Sequence, residues 1–379
     1  MEKNILITGG AGFIGSNLTL NLIKKGHNVT VLDNLSKQIH GDNPKESSSL
    51  YKAIKNHVNF IEASVTSETQ LLKAIKGQSI IVHLAAETGT GQSMFQIAHY
   101  SNINVGGTAL LLDILTNTKH SVSKVVVASS RAIYGEGKYK SRELGVVYPN
   151  QREIEDLQKG DFEVKYKDCI TPLVSVPTDE DAKVHPSSVY GITKQNQEQM
   201  VMTVCPAIDI APVALRYQNV YGPGQSLSNP YTGILSIFSS LIKNNKEINI
   251  FEDGNETRDF VFIDDVVNAT TLAIESEAAN NEVFNVGTGV ATDIITVAKE
   301  LMKNYGKVVP YKVSGNYRIG DIRHNRADIS KIRQLLGFQP SISFAEGIRK
   351  FCYWVNTQKM RADKYSQSLK EMKDKGLFK

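Results

Sequence analysis

A tyrosine and a lysine four residues apart, in Tyr190-Gly191-Ile192-Thr193-Lys194, form the pair in this chain best suited to moving a proton. On a helix the two share one face. A free tyrosine ionises near a pH of about 10 and is a poor base at neutrality, but a neighbouring ammonium stabilises the phenolate. Lys194 is therefore expected to activate Tyr190. Far upstream stands Thr8-Gly9-Gly10-Ala11-Gly12-Phe13-Ile14-Gly15, after the apolar run Ile5-Leu6-Ile7 and before a segment of helical apolar spacing that ends at Gly26. Strand, glycine turn and helix in that order cradle a pyrophosphate: Gly9 permits the tight turn, Gly12 lets the backbone approach, and Gly15 allows close helix–strand packing. A second apolar run, Val29 to Leu32, delivers Asp33. An acid at roughly that distance, about 20 residues on, accepts from ribose hydroxyls and repels a 2′-phosphate. These features predict redox chemistry on a bound dinucleotide, NAD in preference to NADP.

Positioning such groups calls for particular elements. The run Lys124 to Ala128 ends in Ser129-Ser130 and continues to Ile133-Tyr134-Gly135, which places hydroxyls at the carboxyl end of a buried parallel strand, where open α/β sheets bind ligands. Further apolar runs at Val58 to Ile61, Ser79 to Val82 and Pro212 to Leu215 alternate with helical patterns. That alternation predicts an α/β, Rossmann-type, doubly wound parallel sheet. The expected division is a dinucleotide-binding domain over residues 1–216 and a smaller α/β substrate lobe over 217–379, with some segments of the latter returning to the sheet. A polar insertion from about Glu136 to Pro186 separates the serine strand from the tyrosine helix, with a small hairpin expected around Phe162 to Leu173. It reads equally as a surface excursion or a substrate cover. Past Tyr217, Pro223, Gly224 and Pro230-Tyr231-Thr232-Gly233 interrupt the pattern. Residues after Thr357 are charged and apolar-poor, as in a peripheral helix or frayed tail. Asp264-Asp265 suits a helix N-terminus better than a metal site, and His83 suits a packed, hydrogen-bonded position better than a catalytic one.

Composition excludes several function classes. The 379 residues carry 43 Lys and Arg against 39 Asp and Glu, a dispersed net charge of +4 that demands neither nucleic acid nor an anionic membrane. Cys169, Cys205 and Cys352 are isolated, so neither a disulfide framework nor a zinc cluster is expected. The first strand begins directly after Met1-Glu2-Lys3 and no apolar stretch reaches the length of a membrane span, which points to a cytoplasmic protein.

With these motifs in order, the chain resembles the extended short-chain dehydrogenase/reductases that act on nucleotide sugars. Beyond Thr8 to Gly15, Ser130, Tyr190 and Lys194, the resemblance covers His83-Leu84-Ala85-Ala86, Asn104 to Thr108, Arg216 to Pro223, Arg258-Asp259-Phe260-Val261 and Asn285-Val286-Gly287. It implies catalysis by Ser130, Tyr190 and Lys194. It also implies NAD contacts from Gly9, Gly12, Phe13, Ile14, Gly15, Asp33, Asn34, Val65, Leu84, Ala85, Ala86, Asn104, Tyr190 and Lys194. Ser64 stands where the family commonly has an adenine-contacting aspartate. Thr88, Ser130, Asn219, Arg258 and Arg323 are the implied substrate residues, with Asn219, Arg258 and Arg323 on the diphosphate. The chain is most similar to the dTDP-L-rhamnose 4-epimerase type, sharing Leu35 to Gly41 and Glu87 to Ser93. In some of those relatives the insertion carries cysteine pairs, of which only Cys169 is present here. The implied reaction is C4 epimerisation of a nucleoside diphosphate sugar through a 4-keto intermediate, in a homodimer paired through the helices around Asn104 to Leu115 and Tyr190 to Val204. A 4,6-dehydratase is the main rival, but Arg131-Ala132 replaces the Asp-Glu pair that follows the hydroxyl residue in those enzymes. A decarboxylase, a reductase or a non-catalytic nucleotide-sugar binder shares the same motifs.

Overall fold

Residues on successive positions of a strand face opposite sides of a sheet, and a parallel sheet covered on both faces therefore needs unbroken apolar strands. Seven strands of this kind form one parallel sheet: β1 (Asn4–Thr8), β2 (Asn28–Asp33), β3 (Asn59–Glu62), β4 (Ile80–His83), β5 (Lys124–Ser130), β6 (Ala211–Tyr217) and β7 (Glu282–Val286), in the spatial order β7-β6-β5-β4-β1-β2-β3. The computed structural model describes residues 2–227, 229, 233–358 and 365–379. Of the pattern-breaking residues, Pro230, Tyr231 and Thr232 lie outside the described residues.

The longer helices are α1 (Phe13–Lys24), α2 (Glu68–Ile75), α3 (Gly107–Asn117), α4 (Val189–Ala207), α5 (Ile234–Lys243), α6 (Ile263–Glu275), α7 (Ile294–Tyr305), α8 (Phe344–Asn356) and α9 (Tyr365–Asp374). Alternation along the strands sorts their side chains into two cores. Ile5, Ile7, Val126 and Ala128 pack with Leu18 and Leu22 of α1 and Val266 of α6, in a core that continues through α5, α7 and α8. Leu6, Val125 and Val127 pack on the other face with Leu71 of α2, Leu111 of α3 and Val201 of α4. The late strand β7 returns to the sheet edge beside β6. No described helix is long and apolar enough to cross a membrane.

Charge is buried at two joints. On β6, Arg216 donates to both carboxylate oxygens of Glu198 on α4 at 2.6–3.2 Å, and also to the Tyr134 hydroxyl and the Glu180 carbonyl, each at 2.7 Å. The second joint ties the insertion to the later lobe. Arg152 makes paired 2.9 Å bonds to Glu252, reaches Glu136 at 3.2 Å and donates to the Asp321 carbonyl at 3.0 Å.

The insertion differs from its expected form. Its strands are Tyr139–Ser141, Gly145–Val147 and Val174–Ser175, paired antiparallel around the first, and no hairpin spans Phe162 to Leu173. Phe162 is buried against Leu157 and Tyr317, and Val164 against Tyr139 and Val147; the backbone between them follows those contacts instead of pairing with itself. Cys169 Sγ sits 3.0 Å from Ser141 Oγ. His83 is buried between the Thr8 and Thr108 hydroxyls at 2.8 and 3.0 Å. Asp265, in the first turn of α6, also anchors the chain ahead of α8 by accepting from the Ser341 and Ile342 amides.

Removing one partner of a buried ion pair leaves an uncompensated charge and costs roughly 3–5 kcal/mol. Glu198→Ala should therefore lower the unfolding free energy by about that amount in urea titration, and far more than Lys165→Ala, whose ion pairs with Asp156 and Asp161 are exposed.

Candidate active site

The sheet order reverses between β1 and β4, which opens a crevice at the carboxyl ends of the strands. A cavity of about 550 Å³ occupies it, within the usual size of a small-molecule site. On one side lies the glycine turn. A Cβ on Gly15 would come within 2.2 Å of the Gly9 carbonyl oxygen, and one on Gly9, whose φ is +70°, within 2.8 Å of the Ala85 amide. Only glycine permits that approach of turn, helix and β4. Gly12 precedes α1 with extended backbone and no side chain caps the helix, so the first-turn N–H groups at Phe13 and Ile14 are open to an anion. The cradle fits a dinucleotide pyrophosphate. Asn34, Ser64, Val65, Leu84, Ala85, Ala86 and Thr88 continue the cavity wall.

Asp33 lines the same wall, 7% exposed, and accepts from the Ala11 amide at 3.0 Å and the Leu35 amide at 2.8 Å. Burial pushes its carboxyl pKa up, while the Leu35 amide and His40 act the other way. His40, also in the wall, lies 3.8 Å from it, and burial lowers the imidazole pKa. Asp33 thus clasps the glycine turn as well as facing the cavity. Gln38, also in the wall, exchanges reciprocal amide bonds with Gln92 at 2.8 and 3.1 Å.

Ser130 ends β5 and caps the short turn Arg131–Tyr134, its Oγ accepting from the Ala132 amide at 3.1 Å. Tyr190 stands in the first turn of α4, which Ser188 caps through the Gly191 amide. A Cβ on Gly191 would lie 2.6 Å from the Ala132 carbonyl, so this glycine lets the helix press directly against the serine turn. Tyr190 and Ser130 thereby line the same cavity. Lys194, 3% exposed, donates to Gln197 at 2.7 Å, and Gln197 donates to Thr108 at 2.8 Å. Gln197 was not singled out from sequence, although it falls one turn beyond Lys194 on the same helix face.

The electrostatics differ from the expected activation. Burial pushes the Tyr190 phenol up, opposed by Ser130 and the Arg131 guanidinium, and burial lowers Lys194 to about 7, opposed by Glu198. Desolvation outweighs the opposing contributions of Ser130 and Arg131 at the phenol and of Glu198 at the ammonium. Burial, followed by the charge on Lys194, likewise lowers His83 to about 3 and keeps it neutral.

At the far end Asn219 and Arg258 line the cavity as expected. Arg258 is held by the carbonyls of Thr257, Ile322 and Arg323 at 2.8–3.0 Å, and Asn219 accepts from Arg131 Nε at 2.8 Å. Arg323 is a correction. It is fully buried away from the cavity, and its guanidinium bonds to Glu163, Glu252 and Asp253 at 2.6–3.1 Å. All five of its N–H donors are engaged by carboxylates, so none remains for a diphosphate. Arg318, five residues earlier, lines the cavity instead, paired with Asp321 at 2.7–2.8 Å and 5.4 Å from the Phe251 ring. Asn104 is also outside the cavity wall. It bonds to the Glu87 backbone and to Thr193 at 2.9 Å, bracing the helix of Tyr190 from behind. Its place in the π-helical turn Ser101–Gly106 fits the frequent association of such turns with functional sites. Among the described residues none from 136–186 lines the cavity; the insertion braces the wall from outside. Arg131 and Glu256 complete the lining. Burial, with Arg258 next, lowers Arg131 to about 10, and burial raises Glu256 to about 7.

A glycine cradle, a strand-end serine and a Tyr–Lys helix at one crevice define a Rossmann-fold enzyme of the short-chain dehydrogenase/reductase class. The chain belongs to the NAD dependent epimerase/dehydratase family, whose sequence profile matches residues 5–152 and 168–287. It is 39% identical to the dTDP-L-rhamnose 4-epimerase of Burkholderia thailandensis over 93% of this chain and 95% of that one. A UDP-N-acetyl-alpha-D-glucosaminuronate decarboxylase of Bacillus cytotoxicus is 27% identical over 93% and 98% of the two chains. Among solved structures, the UDP-glucuronic acid 4-epimerase of Bacillus cereus in complex with UDP-glucuronic acid and NAD superposes with a TM-score of 0.75 at 26% identity, over 93% of this chain and 99% of that one.

With a folded pKa near 7 against an ordinary 10.5, Lys194 lacks a proton above neutrality that the unfolded chain holds. Stability should therefore rise with pH through that window, by up to about 1.4 kcal/mol per unit from this group. Urea titrations of wild type and Lys194→Met at pH values of about 7.5 and 9 should show the wild type gaining relative to the variant as pH rises.

Proposed function

We propose that this protein is an NAD-dependent 4-epimerase of a nucleoside diphosphate sugar, with dTDP-L-rhamnose and its C4 epimer dTDP-6-deoxy-L-talose as the favoured pair. The observation that carries the chemistry is that Ser130, Tyr190 and Lys194 line one cleft, with the tyrosine helix pressed on the serine turn at Gly191, the glycine cradle on one side and Arg258 and Arg318 on the other. The choice of sugar rests on the 39% identical relative.

Gly9, Gly12, Phe13, Ile14 and Gly15 would hold the pyrophosphate of NAD, Asp33 its adenosine ribose, and Lys194 its other ribose. When bound, NAD supplies reversible oxidation at the sugar C4. Tyr190 takes the proton from the 4-hydroxyl and Ser130 donates to the same oxygen, steadying it as it becomes a carbonyl. A bound dinucleotide brings ribose hydroxyls and added polarity to Lys194, which then holds charge beside the phenolate. For the return step the 4-keto sugar must present its opposite face, so the nucleotide has to be gripped while the sugar turns. Arg258, Arg318 and Asn219 supply that grip on the diphosphate. Arg131-Ala132 after Ser130 provides no acid–base pair for elimination of water, which weighs against a 4,6-dehydratase. For assembly we propose a homodimer through α3 and α4; Ile192 on α4 is 47% exposed and Ile97, on the approach to α3, 54%.

Purified protein with catalytic NAD should convert dTDP-L-rhamnose to its C4 epimer, followed by the sugar proton resonances, with UDP-glucose and UDP-glucuronic acid run alongside. Conversion of only a UDP-sugar would replace the proposed substrate, and loss of carbon dioxide from the uronic acid would replace the reaction. In the same assay Tyr190→Phe should cut turnover by about 10²–10⁴-fold while dTDP affinity changes by less than about threefold.

A further inference from the structure

The last residues of the chain lie across the cleft and touch both of its sides. Toward the substrate lobe, the C-terminus runs antiparallel to residues 317–319: Tyr317 and Lys379 exchange backbone bonds at 2.9 and 3.0 Å, and Ile319 donates to Leu377 at 3.0 Å. Phe378, 8% exposed, packs on Phe251 with centroids 5.1 Å apart and the rings tilted by 47°. Toward the dinucleotide side, Met372 is 2% exposed over Gly91, where an added Cβ would lie 3.1 Å from its sulfur, and Lys375 Nζ sits 5.0 Å from the Phe95 ring centroid. Between these anchors Tyr365, the first residue of α9, lines the cavity together with Arg318, Asp321 and Phe251.

A ten-residue, highly charged helix has no stability of its own in water; α9 is ordered because it docks. The docking points of residues 365–379 belong to two different walls, and Tyr365, at the start of α9, meets the end of the cleft lined by Arg258 and Arg318. The whole segment lies beyond the stretch matched by the family profile, which ends at residue 287. We propose that residues 365–379 form a cap over the nucleotide end of the cleft, and that Tyr365 contacts the bound nucleoside diphosphate and helps to set the affinity and selectivity of this enzyme. The cap deepens the epimerase reading and rests on it for the identity of the ligand class. It serves an enzyme that must keep a reactive keto sugar tethered by its nucleotide while the sugar turns.

The test uses the full-length protein with dTDP and UDP as probes. Amide hydrogen exchange over 365–379 should slow when either nucleotide is added. Tyr365→Ala should weaken binding of that nucleotide by about tenfold in calorimetry, with bound NAD content and melting temperature unchanged, and Tyr365→Phe should restore most of the affinity. Phe378→Ala, which loosens the anchor without touching the cavity, should speed exchange in the cap and raise KM more than it lowers kcat. Nucleotide binding with unchanged exchange in the cap and unchanged affinity in Tyr365→Ala overturns the proposal, as does a protein that binds neither nucleotide. Protection of the cap by a nucleotide without conversion of any sugar upholds the cap and overturns the epimerase reading instead.

Discussion

Arg216 reaches from β6 to grip Glu198 of α4, and through that contact a strand and a helix are fixed within the span of one active site. Arg216 pairs in register with Ser129, one residue before Ser130, and Glu198 sits one helical turn beyond Lys194. The same guanidinium holds the Tyr134 hydroxyl, which closes the turn that Ser130 opens. A planar five-donor group suits this task because it binds several acceptors in fixed directions. Gly191 then removes the last steric obstacle, since any side chain there would push α4 off the serine turn.

The other wall is organised by charge as well. Arg152 and Arg323 sit buried among Glu136, Glu163, Glu252 and Asp253, a cluster drawn from the insertion and from two loops of the later lobe. Buried charges of one sign need partners, and here the partners come from both sides of the joint, so the insertion and the substrate lobe form one continuous wall. The guanidiniums left facing the cavity, Arg131, Arg258 and Arg318, are held there by neutral carbonyls, an amide and a single carboxylate. Such partners orient a guanidinium without neutralising it as a group of carboxylates does.

Desolvation dominates the state of the tyrosine and the lysine in the cleft. Tyr190 and Lys194 are both drawn toward their neutral forms by burial, against Ser130 and Arg131 at the one and Glu198 at the other.

Much of the framework was legible in the sequence because it depends on local pattern. Continuous apolar runs set between helical patterns marked the strands of the parallel sheet as far as β6, the spacing of Gly9, Gly12 and Gly15 marked the tight turn ahead of α1, and Ser130, Tyr190 and Lys194 were marked as residues that the fold brings to one cleft. Which arginine faces the cleft was decided only by tertiary structure. Arg318 and Arg323 look alike in sequence, and their roles follow from which carboxylates the fold brings beside each. The tail was similarly opaque: its charged composition describes a solvated segment, and the few residues that seat it, Met372 and Phe378, find their partners at Gly91 and Phe251. Local steric and hydrophobic rules act within a few residues and are written in order along the chain. The pairing of buried charges and the docking of a terminal helix depend on distances that exist only once the sheet has closed around its two cores.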